Sequence, residues 1–460
     1  MQRGTRMQDV FNFIDAHVDR YLERLEHLCR QQTVAVRRQG IAEGAERLAA
    51  MLSDIGAEPQ CLPVGETTYV VTQVSGAGDR TLGFYNHFDT HPPEPLEAWD
   101  SPPFEPTVRD GALYARGASD NKGNVVARIC AVDAYQRVRG QLPLNVIFLH
   151  DGEEEIGSPH MPAFLGQHAD LVRHADGWVW EGGFKDANEQ LEVYLGFNGL
   201  LYTELEVTTA SEDTHGSHAG LVPNAAWRLV WALSTIKRAD ESILINGFHD
   251  AVIPLTAGEL ALFRHLPIEP EAIKKQLHID RWAGDSSTNE ALERQYLQPY
   301  INIAGIGAGY QDEGMKVILP HRAVAKLEIY LVDSQDPDEV LTQLRAHLDT
   351  HGFEDVRIRP LAKMPPSRTS ASAGLPQVLV ELIGELYENP AVLYPIMPGA
   401  TPMGYFTGRF GVPGVSTGVG YANSRIHQPN ENVRIRDFVQ GIKLMAVLID
   451  RMGQSGQVWD

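Results

Sequence analysis

The chain has 460 residues, 43% of them hydrophobic, and a formal net charge of −21 at pH 7. That length exceeds one ordinary core and predicts two domains, whereas the charge disfavours nucleic acid and anionic membrane surfaces as partners. Three scattered cysteines, none in a Cys-x-x-Cys pair, argue against a disulfide framework or a thiolate metal site and favour a reducing, cytoplasmic compartment.

The first part of the chain alternates helical and extended patterns. Apolar residues at helical spacing predict amphipathic helices, and a change to short apolar runs predicts strands. The predicted helices are 9–32, 41–55 and 124–138. The predicted strands are 69–74, 80–85, 144–149 and one that ends at 178–180. Strands that alternate with helices predict an α/β fold with much parallel sheet.

The pattern changes near Gly196. A strand, a helix, a polar stretch, two strands and a helix follow, the regular elements at 200–207, 224–236, 300–306, 323–332 and 337–351. This order predicts a separate α+β (ferredoxin-like) unit. The earlier alternation then returns, at 376–387, 404–410 and 435–452. We therefore predict a three-layer α/β catalytic domain with a largely parallel central sheet, formed by 1–198 and 372–460 and interrupted by an inserted domain at 199–371.

Four clusters of metal-capable side chains follow predicted strands. Ligands of open α/β sheets collect at the carboxyl ends of the strands, so the clusters can converge. They contain His87 and Asp89, then Asp120, then the acidic run Glu153–Glu155, then His427. Residues two apart in an extended chain point the same way, which places Asp89 to orient His87 as the outer partner of a ligating imidazole.

The acidic run carries the most specific pattern. Three adjacent carboxylates after a buried strand repel one another and lose solvation, which raises their pKa values unless a cation compensates. One of them is expected to bind metal and a neighbour to act as general base. Each other cluster alone has an ordinary explanation, namely a loop histidine, an aspartate helix cap or a surface histidine. Their joint occurrence in this order predicts a metal site.

At this point the chain resembles a known family of zinc exopeptidases and deacylases. The family includes acetylornithine deacetylase, succinyl-diaminopimelate desuccinylase, carboxypeptidase G and carnosinase-type dipeptidases. The resemblance runs from about Phe11 to Ile449. Its motifs are YNHFDTHPP, WDSPPFEP, LYARGASDNKGN, HDGEEEIGS, GLLYTELEV, DTHGSHAG, INIAGI and NSRIHQPNE. It implies that the inserted domain serves as a lid and forms a homodimer.

The resemblance implies two divalent metal ions, with zinc the first choice and manganese or cobalt as alternatives. Asp120 resembles the aspartate that bridges them. His87 and Glu181 resemble the other protein ligands of one ion, called the first ion below. Glu155 and His427 resemble those of the second ion. Without the resemblance, Glu181 in a Trp-Glu-Gly-Gly segment reads as a surface residue.

The same resemblance assigns the chemistry. Glu154 resembles the general base, and Asp89 the carboxylate that steadies His87. His215 resembles a histidine that reaches across the dimer interface and stabilises the oxyanion of the tetrahedral intermediate, with a polar loop histidine as the alternative. Asn302, in the INIAGI motif, is carried over as a substrate-binding position.

Three positions depart from the carnosinase pattern. Those members hold the free carboxylate of the substrate with an arginine, a threonine and a serine, where this chain has Tyr330, Val317 and Ala400. An unpaired carboxylate at these positions would lose its solvation without compensation. The groups that could bind a carboxylate instead are Arg322, Arg368 and the Tyr330 hydroxyl, because their spacing in the sequence does not exclude them. We therefore expect these positions to face a neutral or bulkier leaving portion of the substrate.

The sequence thus predicts a metal-dependent hydrolase that cleaves an amide or peptide C–N bond of a small peptide or N-acyl substrate. Deacylase- or carboxypeptidase-like specificity is predicted, because dipeptidase members tend to carry aspartate where this chain has Glu181. A carnosinase- or Cys-Gly-type dipeptidase is the alternative within enzymes. The alternative of another class is a catalytically idle, metal-holding scaffold protein.

Overall fold

The structure is a computed structural model that describes residues 2–454, with side chains from residue 7 onward. Its helices are α1 (Gln2–Ala16), α2 (Val18–Cys29), α3 (Ile41–Ser53), α4 (Lys122–Arg139), α5 (Met161–Arg173), α6 (Ala225–Ile236), α7 (Ala257–Arg264), α8 (Pro270–Leu277), α9 (Thr288–Leu297), α10 (Pro337–Thr350), α11 (Gly374–Leu386), α12 (Gly404–Phe410) and α13 (Ile435–Met452). The ends of the predicted first and last segments, residue 1 and residues 455–460, lie outside the described residues.

The strands fall between these helices in the alternation that the sequence predicts. They are β1 (Gln60–Val64), β2 (Thr67–Val74), β3 (Thr81–His87), β4 (Thr107–Arg109), β5 (Ala112–Tyr114), β6 (Asn145–Asp151), β7 (Gly177–Trp180), β8 (Phe184–Lys185), β9 (Glu192–Tyr194), β10 (Phe197–Thr208), β11 (Thr214–His215), β12 (Tyr300–Ala308), β13 (Ile318–Leu319), β14 (Arg322–Leu331), β15 (Arg357–Met364), β16 (Val392–Tyr394), β17 (Met397–Ala400), β18 (Gly414–Ser416), β19 (Gly420–Tyr421) and β20 (Asn432–Arg434).

The chain divides into two compact units. Unit 1 contains the residues up to Gly196, Arg368–Pro395 and the residues from Tyr405 onward, and unit 2 contains Phe197–Ser367 and Ile396–Gly404. The boundaries predicted from sequence are 198/199 and 371/372, and the short second segment of unit 2 is not among the predictions. That segment belongs there because β17 pairs in parallel with β10. The catalytic and lid roles of the two units stay predictions.

The main sheet of unit 1 has the strand order β1-β2-β6-β3-β7-β18-β9-β16. Its centre is parallel, since β3 pairs in parallel with β6 and β7, and β7 with β18. Every residue of β3 and of β7 is buried, as expected for strands covered on both faces. Helix α4 contacts β3 and packs against α13. The predicted α/β class with a largely parallel centre is confirmed.

The register of the central strands decides where their loops emerge. Strands β3 and β6 run side by side from the pair Thr81 and Asn145 to the pair His87 and Asp151. Strand β7 is aligned with the middle of β3, where Phe84 faces Val179. The loops that follow these three parallel strands therefore leave the same edge of the sheet, where α/β proteins collect their functional groups.

Unit 2 has a sheet with the order β12-β14-β10-β15, and each adjacent pair is antiparallel. Along the chain, helix α6 lies between β10 and β12, and helix α10 lies between β14 and β15. The chain order is thus β-α-β-β-α-β, which confirms the ferredoxin-like prediction. Apolar residues of both helices and of the sheet form one core, including Leu205, Leu229, Leu327 and Leu344.

Two predictions about elements are wrong. The helix predicted over 9–32 is broken at His17, whose backbone (φ −124°, ψ 22°) leaves the helical region, while its ring stacks on Phe13 with centroids 3.9 Å apart. The polar stretch of the inserted unit contains the helices α7, α8 and α9. A search of the described residues finds no helix with both the length and the apolar character needed to cross a bilayer.

Candidate active site

The five predicted metal ligands all belong to unit 1 and meet at the edge of its sheet. His87 ends β3, Glu155 lies in the loop after β6, and Glu181 directly follows β7. Asp120 lies two residues before the start of α4, and His427 lies in the loop between β19 and β20. Parallel pairing of β3 with β6 and β7 is what brings the first three together, although they lie far apart in sequence.

Asp120 occupies the centre of this group. Its Oδ1 lies 3.1 Å from Nε2 of His87, and its Oδ2 lies 2.9 Å from Nε2 of His427. Glu155 Oε2 lies 3.2 Å from the His427 ring nitrogen, and Glu181 Oε2 lies 3.7 Å from that of His87. One carboxylate therefore faces two imidazoles, each accompanied by a further carboxylate.

Asp89 connects the first loop to the acidic run. It is fully buried, and its Oδ1 lies 3.3 Å from Nδ1 of His87. The same carboxylate accepts hydrogen bonds from the backbone N–H groups of Glu154 and Glu155, at 3.0 and 3.1 Å. A single side chain thereby fixes the orientation of the imidazole and the position of the acidic loop.

Glu431 holds the loop that carries Asp120. Its Oε1 accepts hydrogen bonds from the backbone N–H groups of Ser119 and Asp120, at 3.0 and 2.9 Å. Its Oε2 accepts from the backbone N–H of Gly117 at 2.9 Å and from the Arg116 guanidinium at 2.7 Å. All four donors converge on one buried carboxylate, so the loop before α4 has little freedom to move.

Arg128 of α4 ties the strand ends together. Its buried guanidinium donates hydrogen bonds to the carbonyl oxygens of Tyr85 at 2.6 Å, Val179 at 3.1 Å and Thr417 at 3.2 Å. Burial lowers the pKa of Arg128 to about 9. This side chain fixes the relative positions of the strand ends that carry His87 and Glu181, the predicted protein ligands of the first ion.

The site concentrates negative charge in a buried space. Burial raises the pKa of Glu181 to about 8, against the opposing effect of His87. Burial and the charge of Glu181 raise the pKa of Glu154 well above its usual range. Burial opposes protonation of His427, but its hydrogen bond to Asp120 raises its pKa to about 10. Carboxylates this crowded call for compensating positive charge.

Comparison with known proteins identifies the family of the chain. The family model described as peptidase family M20/M25/M40 matches residues 83–451, which is most of the chain. The chain belongs to this peptidase family. As an M20 peptidase it is a metal-dependent hydrolase of peptide bonds, and it binds divalent metal.

Three relatives of this M20 peptidase illustrate the range of the family. The structure of the M20 family metallo-carboxypeptidase Sso-CP2 from Sulfolobus solfataricus is 32% identical, covers 93% of this chain and 98% of its own, and has a TM-score of 0.89. The Beta-Ala-His dipeptidase of Homo sapiens is 28% identical over 75% of this chain and 71% of its own length. The Cys-Gly metallodipeptidase dug1 of Schizosaccharomyces pombe is 27% identical over 58% of this chain and 57% of its own.

The donor set of this M20 peptidase fits divalent cations. Glu155 Oε1 and Glu181 Oε2 are buried and have no hydrogen-bond partner among the residues that the structure describes, although a buried carboxylate oxygen normally has one. Among the described residues, His87, Asp120 and Glu155 bring one ligand atom each to within 4.8 Å of one another. Imidazole donors suit zinc and carboxylate donors also suit manganese, so this mixed set is open to zinc, manganese or cobalt.

The other predicted site residues belong to unit 2. His215 ends β11, which pairs with β13, and the backbone carbonyl of Val317 accepts a hydrogen bond from the next residue, Gly216, at 3.4 Å. Asn302 donates a hydrogen bond to Glu328 across β12 and β14 at 2.9 Å. The positions that differ from the carnosinase pattern are distributed over β14 (Tyr330), the residue before β13 (Val317) and β17 (Ala400).

His91 of this M20 peptidase has no role among the predictions made from sequence. Its Nε2 lies 3.1 Å from Glu155 Oε2, and its ring lies 3.9 Å from that of His427, measured between centroids. The signal was present, because residues 87, 89 and 91 alternate in an extended chain just as the first two do. Glu431 is likewise part of a quoted motif but receives no role from sequence alone.

Proposed function

We propose that unit 1 holds two divalent ions, both zinc, with His87 and Glu181 on the first, Glu155 and His427 on the second, and Asp120 shared. The observation that supports this most is the position of Asp120, whose two oxygens face different imidazoles at 3.1 and 2.9 Å. Bound dications supply Lewis acidity that lowers the pKa of water and polarises a scissile carbonyl. Manganese or cobalt is the alternative metal.

In this proposal Glu154 is the general base. Its carboxylate lies beside the donor group, with Oε2 3.9 Å from Nε2 of His87, and its own backbone N–H is held by Asp89. It would accept a proton from the attacking water and return it to the leaving amine. No ligand role competes for this side chain in the proposed set.

His215 is proposed to stabilise the oxyanion. Its Nδ1 accepts a hydrogen bond from the backbone N–H of Ser217 at 3.2 Å. In the neutral ring this makes Nε2 the protonated nitrogen, which can donate to a developing negative charge. The exposure of the ring is compatible with a donor that acts only when substrate is bound.

We propose deacylase- or carboxypeptidase-like specificity. Glu181 is longer than the aspartate typical of dipeptidases, so it leaves less room for a free α-amino group beside the first ion. The relative Sso-CP2 is named a metallo-carboxypeptidase. At the leaving-group side, Tyr330 is stacked on Tyr300 with centroids 4.5 Å apart. Arg322, a substitute considered for binding a carboxylate, is already ion-paired with Glu206. Between these two specificities, a neutral leaving portion fits these positions better than a free carboxylate, which favours a deacylase over a carboxypeptidase, whose substrates end in a free carboxylate.

A substrate panel tests this specificity. The panel contains N-acylated and free dipeptides, each as the free acid and as the matching amide. We expect kcat/KM to be about tenfold to a hundredfold higher for the N-acylated amides, since an unpaired buried charge costs about 1–3 kcal/mol or more. Tyr330→Arg should raise turnover of the free acids selectively, while Tyr330→Phe, which keeps the ring stack, should not.

The dipeptidase alternative gives the opposite result on this panel. The curated relatives named above are a Beta-Ala-His dipeptidase and a Cys-Gly metallodipeptidase. Preferential turnover of unblocked, free-acid dipeptides by the wild-type enzyme would contradict our proposal and establish that alternative.

We also propose a homodimer formed through unit 2. Trp227 and Trp231 of α6 are 58% and 54% exposed, and their rings stack with centroids 5.9 Å apart. On β12, at the edge of the sheet, Ile303 and Ile306 are 47% and 56% exposed. Large apolar side chains and an open strand edge in one unit are typical of a protein interface.

If unit 2 forms the dimer interface, substitutions at its exposed tryptophans should lower the mass of the protein in solution to that of a monomer. Trp227→Glu combined with Trp231→Glu should convert the dimer to monomer in sedimentation equilibrium, because each buried interface tryptophan contributes about 2 kcal/mol or more. Leu277→Glu, at a residue of α8 that is 60% exposed, should leave the dimer intact. A wild-type protein with the mass of a monomer would exclude the proposal.

Cytoplasmic location is the last part of the proposal. Cys29, Cys61 and Cys130 are free thiols, and the first and third are buried. Unpaired cysteines are the usual condition of proteins in reducing compartments.

A further inference from the structure

His91 is held rigidly although it lies in a loop. The residue before it, Thr90, donates its backbone N–H to the carbonyl of Thr33 at 2.7 Å. Two prolines follow, which restrict the backbone of the residue before each of them, and the carbonyl of Pro93 accepts a hydrogen bond from the Trp99 indole at 2.7 Å. The imidazole therefore projects from a backbone that is fixed on both sides.

The imidazole of His91 points at the second-ion ligands. Its Nε2 lies 3.1 Å from Glu155 Oε2, the same oxygen that lies 3.2 Å from Nε2 of His427. One ligand atom from each of these three residues lies within 4.8 Å of the other two. The second Glu155 oxygen, Oε1, is buried, and no group in the described part of the chain forms a hydrogen bond with it.

We propose that His91 is a further protein ligand of the second ion, beside Asp120, Glu155 and His427. The inference rests on the proposed two-ion function but goes beyond it, since the family resemblance provides each ion with one imidazole and assigns His91 no role. Two histidines that converge on one carboxylate oxygen, each through Nε2, form the arrangement of a nitrogen-rich metal site.

The extra imidazole has a consequence for metal choice. Imidazole nitrogen favours zinc and other late transition metals, whereas a site with more oxygen donors accommodates manganese more readily. The second site should therefore select zinc over manganese more strongly than the first site, which has one imidazole. Removal of His91 should reduce that difference.

The competing role for His91 is that of a hydrogen-bond donor to Glu155 from outside the ligand set. Two substitutions separate the roles, because a glutamine amide can still donate to Glu155 but is a poor zinc ligand, whereas alanine does neither. His91→Gln and His91→Ala should behave alike if the ring binds metal. His91→Gln should behave like wild type if the ring only donates a hydrogen bond.

The test measures metal binding rather than turnover. Wild type, both His91 variants, His427→Ala and the control His174→Ala, at an exposed residue after α5, are equilibrated with zinc or manganese against a graded chelator. Bound metal is then counted by elemental analysis. Cobalt-loaded protein gives a second readout, because the visible absorption of cobalt changes with the number of its nitrogen ligands. Circular dichroism confirms that each variant is folded.

We expect both His91 variants to hold the second zinc at least about tenfold to a hundredfold more weakly than wild type, since losing a ligand costs no less than losing an outer partner of one, with an altered cobalt spectrum. Added imidazole should restore the spectrum in His91→Ala. Wild-type zinc affinity in His91→Gln, or an unchanged cobalt spectrum in His91→Ala, would overturn the inference. A wild-type protein with fewer than two ions, or a His427→Ala variant that loses none, would instead contradict the proposed two-ion function.

Discussion

Glu154→Gln should reduce kcat by a factor of about 10²–10⁴, the usual contribution of a positioned general base. The amide has the shape of the carboxylate but cannot accept a proton from water at neutral pH. Metal content should stay at the wild-type level, because Glu154 lies outside the proposed ligand set. The backbone N–H of residue 154 can still donate to Asp89, so the loop should keep its position.

The acidic run supplies its own matched controls. Glu153 faces away from the donor group, where it accepts hydrogen bonds from the backbone N–H of His160 at 2.7 Å and from the Tyr69 hydroxyl at 3.3 Å. Glu153→Gln should therefore affect stability more than turnover, whereas Glu155→Gln should lose metal. If Glu154→Gln kept a tenth or more of the wild-type kcat, or lost metal as Glu155→Gln does, the assignment of the base would be wrong.

Sequence patterns predicted the elements with strong hydrophobic periodicity. Helix α13 was predicted with its observed bounds, and β6 and α4 within a few residues, since each buries a continuous apolar surface. Helix α9 was overlooked because none of its residues is buried, which leaves no apolar stripe to detect. The capping box of Ser287 and Glu290 at its start was the available signal.

The edge strand β15 was overlooked for a related reason. Its residues are mostly exposed or half-buried and include Pro360, and proline inside a run argues against a strand unless that strand lies at an edge. Burial, not intrinsic preference, decides such segments. Only the completed sheet, with β10 as the neighbour, explains why the chain is extended there.

The residues of the candidate site also fall into those that sequence patterns reveal and those that only the folded sheet explains. The acidic run was recognisable because three adjacent carboxylates directly after a buried strand are unusual, and His87 and Asp89 gained significance only by occurring together with it. Glu181 was not, since nothing in its local sequence indicates that β7 lies next to β3. Strand adjacency is a property of the whole sheet, so residues that join a site through it are found by resemblance or by structure.

Glu431→Ala should destabilise unit 1 by about 3–5 kcal/mol, the usual cost of leaving one partner of a buried ion pair without the other. Glu431 and Arg116 are each only 1% exposed, and their charged atoms lie 2.7 Å apart. Three backbone N–H groups would lose their acceptor as well. Urea unfolding followed by the fluorescence of the buried Trp178 and Trp180 measures the loss.

The matched control is an exposed ion pair in the same unit. Glu26 and Arg30 are 2.7 Å apart with side chains 24% and 50% exposed, so Glu26→Gln should cost about 0.3–0.5 kcal/mol. Combining Arg116→Met with Glu431→Ala should recover part of the stability, because no uncompensated charge is then buried. The three N–H groups stay without an acceptor, so recovery should be incomplete.

Glu431 also connects stability to metal binding. The backbone N–H of Asp120 donates to Glu431 at 2.9 Å, while its carboxylate faces His87 and His427. Releasing that N–H should loosen the residue proposed to be shared by both ions, and outer partners of metal ligands typically contribute about tenfold to a hundredfold in affinity. The Arg116→Met, Glu431→Ala double variant should regain stability without regaining metal affinity. Recovery of both together would show that Glu431 acts on the site only through the overall stability of the fold.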